Sequence, residues 1–596
     1  MCQRLIQPKA TDWWLKDMYL TSPVPLPINS NPGFVFEPKK FSNQHEAASF
    51  LARFLNGLFD YQEIADRGEI EVDRLRSTDG KPGQPMCMAQ QYKLFSKYRR
   101  PGRELDQQLI LERASSGNHV IVVNHNQFYS IPVRASDRGR LTEAELTQQI
   151  LKIMEIPADP RTPPVGVLTA ATRPLWAAAR EELVKNEKNR HNLELLERCL
   201  CIVCLDDDVL PTTFNDPIGK RREVGHWIGD RDETNLFHHA LHGGGSRHLG
   251  ANRWYDKTLQ LFLGKDGIWG MNYEHSAAEA PAVLGIIETL ENQIAAMSPS
   301  EKSTIPCHLP SPEKLEWCLS EQSMNDIRDA MTSFDAMVED LDLCVFRFTE
   351  YNRDFIKSCK ISPDVYIQLI LQLSYFRLHG KLVATYESAG LRRFALGRVD
   401  CIRSASVEAL EWARAMCQGD PNSQLPTSGM QQEEGAKRVQ FTIYSVTIGS
   451  YETATTTVVV ADEKIRQLFD LAVKRQTKEM NDNIAGHGID NHLMGLRETA
   501  KESGDPLPDI FADATYRIIN HFALSTSQIT TVNEVIAGYG PVVPDGYGCA
   551  YNFRKNGLIF YISAFHSDGR TSTSRFAQAL ECSLRATAAM LQGPQK

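Results

Sequence analysis

Short β-rich runs recur along the chain with stretches of helical periodicity between them, and this alternation limits the possible folds more than any other feature. The runs are "HVIVVNHNQFYSI" (119–131), "CIVCLD" (201–206), "LQLFLG" (259–264) and "LIFYISAF" (558–565). Among the intervening amphipathic stretches are "TEAELTQQILKIMEI" and "SPDVYIQLILQLSYFRLHGKL". Alternation of this kind indicates an α/β class. With 596 residues and 42% apolar side chains, the chain can bury large cores and has room for two to four domains. Polar, Pro-rich text at 298–314 is the best hinge and divides it into 1–316 and 317–596. A second soft region, 418–437, precedes a Thr/Val-rich, strand-like run that reads either as an inserted hairpin or as sequence the fold does not need.

Composition removes several classes. The net charge of −9, from 65 basic and 74 acidic residues, argues against a nucleic-acid footprint. No run of 18 apolar residues is present, so no spanning helix is expected. The first residues lack a signal-peptide h-region and "LQGPQK" is no peroxisomal address, so a soluble cytosolic protein is expected. The 13 cysteines read as reduced thiols; in "CLCIVCL", Cys199, Cys201 and Cys204 interleave with aliphatics like a buried strand rather than a metal site.

Chemistry is suggested first at 271–283, "MNYEHSAAEAPAV". "TLQLFLGKDGIWGMNYEH" reads as two strands joined by a turn at Asp266-Gly267, with His275 closing the second. Strand-to-helix corners hold side chains rigidly at a cleft edge. Locally, His275 is a core histidine, a helix-start residue or a general base. Ser276 and Glu279 have capping-box spacing, which would put Pro281 at the fifth helical position, where its missing N–H costs a bond. "LHGGGSRHLG" has the glycines of an esterase oxyanion loop, but no G-x-S-x-G elbow accompanies it, and a glycine turn is the better reading. His238, His239 and His242 make a weak zinc set. The Ser-Thr-Ser of "HFALSTSQITT" is commonplace, and "GYGPVVPDGYGCAYN" reads as a long loop. "TYESAGLRRFALGRVDCIRSAS" is too charged for a core helix. Arg353, Lys357 and Lys360 are spaced to set several cations on one phosphate, or to form a solvated basic face.

Taken together and in this order, "DWWLKDMYL", "NRWYDKTLQLFLGKDG", "YEHSAAEAP", "SPDVYIQLILQLSYFRLHGKLVATYESAGLRRFALGRVDCIRSAS", "DNHLMGLRE", "LSTSQ" and "GPVVPDGYGCAYN" resemble the carnitine/choline acyltransferase family. The resemblance implies two chloramphenicol-acetyltransferase-like α/β domains with an active-site tunnel between them, coenzyme A entering from one side and the amino alcohol from the other. It makes His275 the general base, Glu279 its acidic support and Ser527 the donor to the tetrahedral oxyanion. It assigns Arg353 (where a lysine is usual), Lys357, Lys360 and Asp364 to coenzyme A, and Ser525 to the neighbourhood of the substrate. Carnitine enzymes of the family carry an arginine before "HLLGL" and a threonine after "GR" to receive a carboxylate; here these positions hold Asn491 and Val399. A buried carboxylate would lack its charged partner, which favours choline. Tyr386, Tyr547 and Tyr19 are the expected aromatic faces for its trimethylammonium group. Acetyl transfer from acetyl-CoA, a co-substrate rather than a bound cofactor, to choline is therefore expected, with no metal, in a cytoplasmic monomer of nerve terminals. Carnitine as acceptor, and a truncated form of weak activity, are the alternatives. The family has a helical segment before "DWWLKDMYL" that is short here, suggesting a shortened form, and insertions are expected near 212–236 and 430–462.

Overall fold

The hairpin read at 259–273 forms as expected: Leu259–Gly264 pairs antiparallel with Trp269–Tyr273. Its turn needs a glycine, because Gly267 has φ +79° and a Cβ there would fall 1.8 Å from the Lys39 carbonyl oxygen. The computed structural model describes residues 7–75, 81–111, 118–135, 139–208, 227–228, 231–296, 311–418, 463–531 and 533–592. The expected insertion at 430–462 lies outside these residues, as do most of 212–236, most of the 298–314 hinge and nearly all of the Thr/Val-rich run.

The chain forms two compact units. The first comprises Met1–Leu343, Gly390–Arg398 and Ile529–Gly540; the second comprises Cys344–Ala389, Val399–Gln528 and Pro541–Lys596. The expected halves, 1–316 and 317–596, are continuous stretches, whereas these units interleave in sequence.

In the first unit an eight-stranded sheet runs, in spatial order, Glu313–Lys314, Gln127–Pro132, His119–Asn124, Ile202–Asp206, Leu259–Gly264, Trp269–Tyr273, Gly33–Val35 and Ile536–Gly538. Its centre is parallel: Ile202–Asp206 lies between His119–Asn124 and Leu259–Gly264. Strands covered on both faces read as continuous apolar runs, and Ile202–Asp206 is buried throughout. The thiols of Cys199, Cys201 and Cys204 belong to this core, and burial pushes that of Cys204 up to about 12. His125 and Asn126, both with positive φ, make the two-residue turn of the 119–132 hairpin. The helix Glu143–Met154 opens on a capping box of Thr142 and Glu145.

In the second unit, apart from Leu341–Leu343 and Gly390 at strand ends, six strands run Leu341–Phe348, Gly557–Phe565, Tyr547–Arg554, Leu524–Gln528, Thr385–Gly390 and Val399–Ile402. Leu524–Gln528 is parallel to both Thr385–Gly390 and Tyr547–Arg554. One face packs against the helices Pro363–His379, Val407–Cys417, Glu463–Ile484 and Thr573–Gln592. The first of these starts on Pro363, is buried without a break from Val365 to Tyr375, and stops at Gly380 in the left-handed conformation. A helix apolar on all sides must be enclosed, and this one is the middle of the core.

Candidate active site

The corner at 271–283 departs from the expected cap. Ser276 donates its hydroxyl to Glu274 Oε2 at 2.6 Å, and the Glu279 N–H goes to Gln90 Oε1 at 2.8 Å. The helix begins later, at Ala280, so Pro281 is its second residue, where a missing N–H is harmless. The 276–279 spacing therefore makes no capping box, and both side chains are available for other partners.

His275 stands just beyond the strand end. Its imidazole has two aromatic neighbours, Tyr19 at 5.3 Å and Tyr273 at 5.4 Å between centroids, both within 26° of parallel. Its Nδ1 is hydrogen-bonded to the Tyr19 hydroxyl. Its Nε2 lies 3.9 Å from Glu279 Oε2. Burial lowers its pKa below the ordinary histidine value; Glu279 opposes this shift and Arg398 reinforces it. At neutral pH the ring is uncharged and able to accept a proton.

Arg398 organises the surroundings of Glu279. Its Nε donates to Glu279 Oε1 at 2.7 Å, Nη1 to the Ser276 carbonyl at 2.7 Å and Nη2 to the His275 carbonyl at 3.1 Å. The guanidinium lies 4.7 Å from the Trp14 ring centroid and 5.9 Å from that of Tyr19. Trp14 and Tyr19, five residues apart, meet edge-to-face because Lys16–Leu20 continues the helix Gln7–Leu15 with π-helical winding. Sequence reading missed Arg398, although it directly precedes Val399 in "GRVD".

Beneath the corner, buried charges alternate in sign. Glu274 accepts from Arg99 at 3.2 Å, Arg99 reaches Asp106 at 2.8 Å, Arg173 bridges Asp106 and Asp256 at 2.7 Å each, and Trp176 donates to Asp256 at 2.6 Å. Arg99 also donates to the Tyr19 carbonyl at 2.6 Å. Lys97 donates to the Ala277 carbonyl at 3.0 Å, and burial pushes its pKa down to about 7. Apart from Arg99 and Asp106, seven residues apart, the charged partners of this network are 67 or more residues apart in sequence, so no local motif announces it.

The other loops singled out in the first unit are structural. Gly243, Gly244 and Gly245 all have positive φ after the helix Glu233–His242. His239 is bonded to Asp206 at 2.8 Å, and His238 to His242 at 3.0 Å. Among the described residues, no cluster of three or more His, Cys, Asp or Glu side chains is arranged to hold a metal ion.

In the second unit, Tyr386, Ser525 and Gly548 are lateral neighbours, and Ser527 faces Ala550. Alternation puts Tyr386, Ser525 and Ser527 on the sheet face away from the helical core. No hydrogen bond engages the Ser527 hydroxyl among the described residues. Thr526 points to the helices, accepting from Gln368 at 3.0 Å and donating to the Tyr386 carbonyl at 2.7 Å. Tyr547 occupies that same helical side: its ring stacks on Phe576 at 4.6 Å, and its hydroxyl accepts from the Ser572 N–H at 3.1 Å. The sheet therefore separates Tyr547 from Tyr386. Asn491 donates its side-chain amide to the Val399 carbonyl at 3.1 Å, so the two positions expected to select the acceptor are in direct contact. Asp400, which accepts from the Asn491 N–H at 3.2 Å, is pushed up to about 6 by burial. Arg353, Lys357 and Lys360 are exposed on and just after the helix Arg353–Ser358. Asp364, whose pKa burial raises, accepts from the Tyr551 hydroxyl at 3.3 Å.

His275 thus stands at a strand end in the first unit and Ser527 on a strand of the second unit's sheet. The sequence profile of the choline/carnitine O-acyltransferase family matches residues 3–436 and 440–582. The chain belongs to this family. It is an acyltransferase. Among its relatives, the choline O-acetyltransferase of Drosophila melanogaster is 44% identical over 586 residues, covering 97% of this chain and 79% of the relative. That of Sus scrofa is 38% identical, covering 96% and 81%. The carnitine O-acetyltransferase of Mus musculus is 33% identical, covering 98% and 83%. No helix among the described residues of this acyltransferase is long and apolar enough to cross a membrane.

Proposed function

We propose that the chain is a choline O-acetyltransferase, moving acetyl from acetyl-CoA to the choline hydroxyl. The observation that carries this is the joined pair Asn491 and Val399, with the Asn491 amide on the Val399 carbonyl. An amide and an aliphatic side chain bring no cation to receive a carnitine carboxylate, whose burial without a partner costs several kcal/mol. The higher identity to choline than to carnitine acetyltransferases supports the same acceptor.

In this mechanism His275 Nε2 takes the choline hydroxyl proton as the oxygen attacks the thioester carbonyl. The Ser527 hydroxyl donates to the oxyanion. The intermediate expels coenzyme A thiolate, which recovers the proton from His275. Glu279, held by Arg398, supports the imidazolium while it exists. With both substrates bound together, proximity lowers the barrier and no acyl-enzyme is needed. Tyr386 and Tyr19 offer aromatic faces to the trimethylammonium group, with Ser525 close to it. Tyr547 would contribute from behind, through the packing of its strand. Arg353, Lys357 and Lys360 bind the coenzyme A phosphates, with Asp364 at the start of the adjoining helix. On the family resemblance, each unit is a chloramphenicol-acetyltransferase-like domain, no cofactor is held permanently, and the enzyme is a cytosolic monomer of nerve terminals.

The test is thiol release from acetyl-CoA with choline or carnitine as acceptor. Choline is expected to be used at least about 100-fold faster, as befits a site that leaves a buried charge unpaired in the wrong substrate. Faster release with carnitine would overturn the proposal, and release with neither from a folded protein would favour a weakly active form. The double variant Val399→Thr/Asn491→Arg is expected to move the kcat/KM ratio toward carnitine by about 100-fold or more; an unchanged ratio would mean that the pair does not select the acceptor.

A further inference from the structure

We infer that Gln476 and Gln368 are positioning residues for the oxyanion donor: with Ser404 and Thr526 they form a one-directional chain of buried hydrogen bonds that sets the strand carrying Ser527. The inference rests on Ser527 being that donor and goes beyond that reading, because neither glutamine has any other part in the proposed reaction.

The chain crosses several elements of the second unit. Gln476, on the helix Glu463–Ile484, donates to the Ser404 hydroxyl at 3.1 Å. Ser404, just beyond the strand Val399–Ile402, donates to Gln368 Oε1 at 2.9 Å. Gln368, on the helix Pro363–His379, donates to the Thr526 hydroxyl at 3.0 Å, and Thr526 donates to the Tyr386 carbonyl at 2.7 Å. All four side chains are buried.

The direction is fixed from the Tyr386 end. A carbonyl only accepts, so Thr526 gives it its single hydroxyl proton and must itself accept from Gln368. That turns the Gln368 amide nitrogen toward Thr526 and its oxygen toward Ser404. Ser404 then has its one proton on Gln368 and accepts from Gln476. Glu387 competes for that proton: its Oε2 lies 3.4 Å from Ser404 Oγ and accepts from Gln476 at 3.2 Å. Burial, with Asp364 adding to it, raises Glu387 well above the usual carboxylate range. An uncharged acid is the weaker acceptor, so the Ser404 proton stays on the nearer Gln368. Each bond polarises the next, and breaking one leaves a buried polar group without its partner.

Thr526 connects the chain to the chemistry. It lies between Ser525 and Ser527 in the strand Leu524–Gln528 and is the lateral neighbour of Glu387 in Thr385–Gly390. Side chains alternate along the strand, so a grip on Thr526 from the helical side sets the height and tilt of the strand at the residue before Ser527. The Ser527 hydroxyl keeps its place on the opposite face although no described residue bonds it. An oxyanion donor works at about 3 Å from the developing charge, and a misplacement of about 1 Å costs about 100-fold in rate.

The test is a set of double-mutant cycles with Ser527→Ala, read as kcat for thiol release from acetyl-CoA. Thr526→Val and Gln368→Met stay close to the native shape and break the chain. Each is expected to lower kcat about 10-fold and to leave the acetyl-CoA KM within about twofold. Gln476→Met, at the far end, is expected to cost about threefold. In the Ser527→Ala background the same substitutions are expected to cost less than about twofold, because the group they position is gone. Thr526→Ser restores the hydroxyl and is expected to bring kcat back to within about twofold of wild type. Equal losses with and without Ser527 would overturn the inference, since they would reflect a general disturbance of the fold. Unchanged kcat in Thr526→Val would also overturn it, because the strand ladder alone would then set Ser527. If Gln368→Met does not fold, the Thr526→Val and Gln476→Met cycles decide by the same outcomes. Ser527→Ala alone reports on the underlying reading: full activity there would remove the oxyanion assignment and the inference with it, whereas additive losses would leave the assignment standing and remove only the positioning role.

Discussion

His275→Ala is expected to abolish acetyl transfer while coenzyme A still binds. An alcohol is a poor nucleophile at neutral pH, and a positioned general base contributes about 10²- to 10⁴-fold. Other groups are badly placed to substitute: Glu279 is committed to Arg398, and Lys97 to the Ala277 carbonyl. The loss should appear in kcat when thiol release is followed, with coenzyme A affinity by calorimetry unchanged, because the cations assigned to its phosphates lie on a different sheet system, around the helix Arg353–Ser358. Wild-type kcat should fall on the acid side as His275 protonates. Because burial depresses its pKa, that limb is expected below the ordinary histidine value of about 6.5. Substantial turnover in the variant, or an acid limb above that value, would remove His275 from its role.

Ser527→Ala is expected to cost about 3 kcal/mol of transition-state stabilisation, roughly 100-fold in kcat, with little change in either KM. The hydroxyl is on the face away from the helical core and has no hydrogen-bond partner among the described residues, so its removal breaks nothing in the resting protein. Position in the strand is kept by the neighbour on the other face, Thr526, through Gln368 and the Tyr386 carbonyl. A variant with unchanged melting temperature and unchanged kcat would show that the oxyanion is stabilised elsewhere. A rise in KM alone would make Ser527 a substrate contact.

The elements most legible in the sequence were those whose local pattern and tertiary environment agree. Ile202–Asp206 reads as a buried strand because both its faces are covered, and Pro363–His379 as a helix because its start, length and stop are all marked. The corner at 275 shows where local pattern misleads. Ser276 and Glu279 have the right spacing for a cap, yet the hydroxyl goes to Glu274, two residues back, and the carboxylate to the distant Arg398. Arg398 was invisible as a site residue because its purpose depends on Trp14 and Glu279, both remote in sequence. Tyr386 and Tyr547 are both expected to face the trimethylammonium group, but strand alternation sends their rings to opposite faces. The chain of Glu274, Arg99, Asp106, Arg173 and Asp256 has no sequence signature, since all its pairs but Arg99–Asp106 join residues remote in sequence.

The interleaving of the two units bears on how the protein is made. The chain leaves or rejoins a unit after Leu343, Ala389, Arg398, Gln528 and Gly540. The last strand of the first sheet, Ile536–Gly538, pairs with Gly33–Val35, which is translated about 500 residues earlier. A ribosome therefore releases most of the first sheet long before its final strand exists, and until then Gly33–Val35 presents a bare edge, a site for wrong pairing with other nascent chains. A premature stop anywhere before residue 536 would leave that edge permanently open, so such products are expected to aggregate or be degraded rather than to persist as half-enzymes.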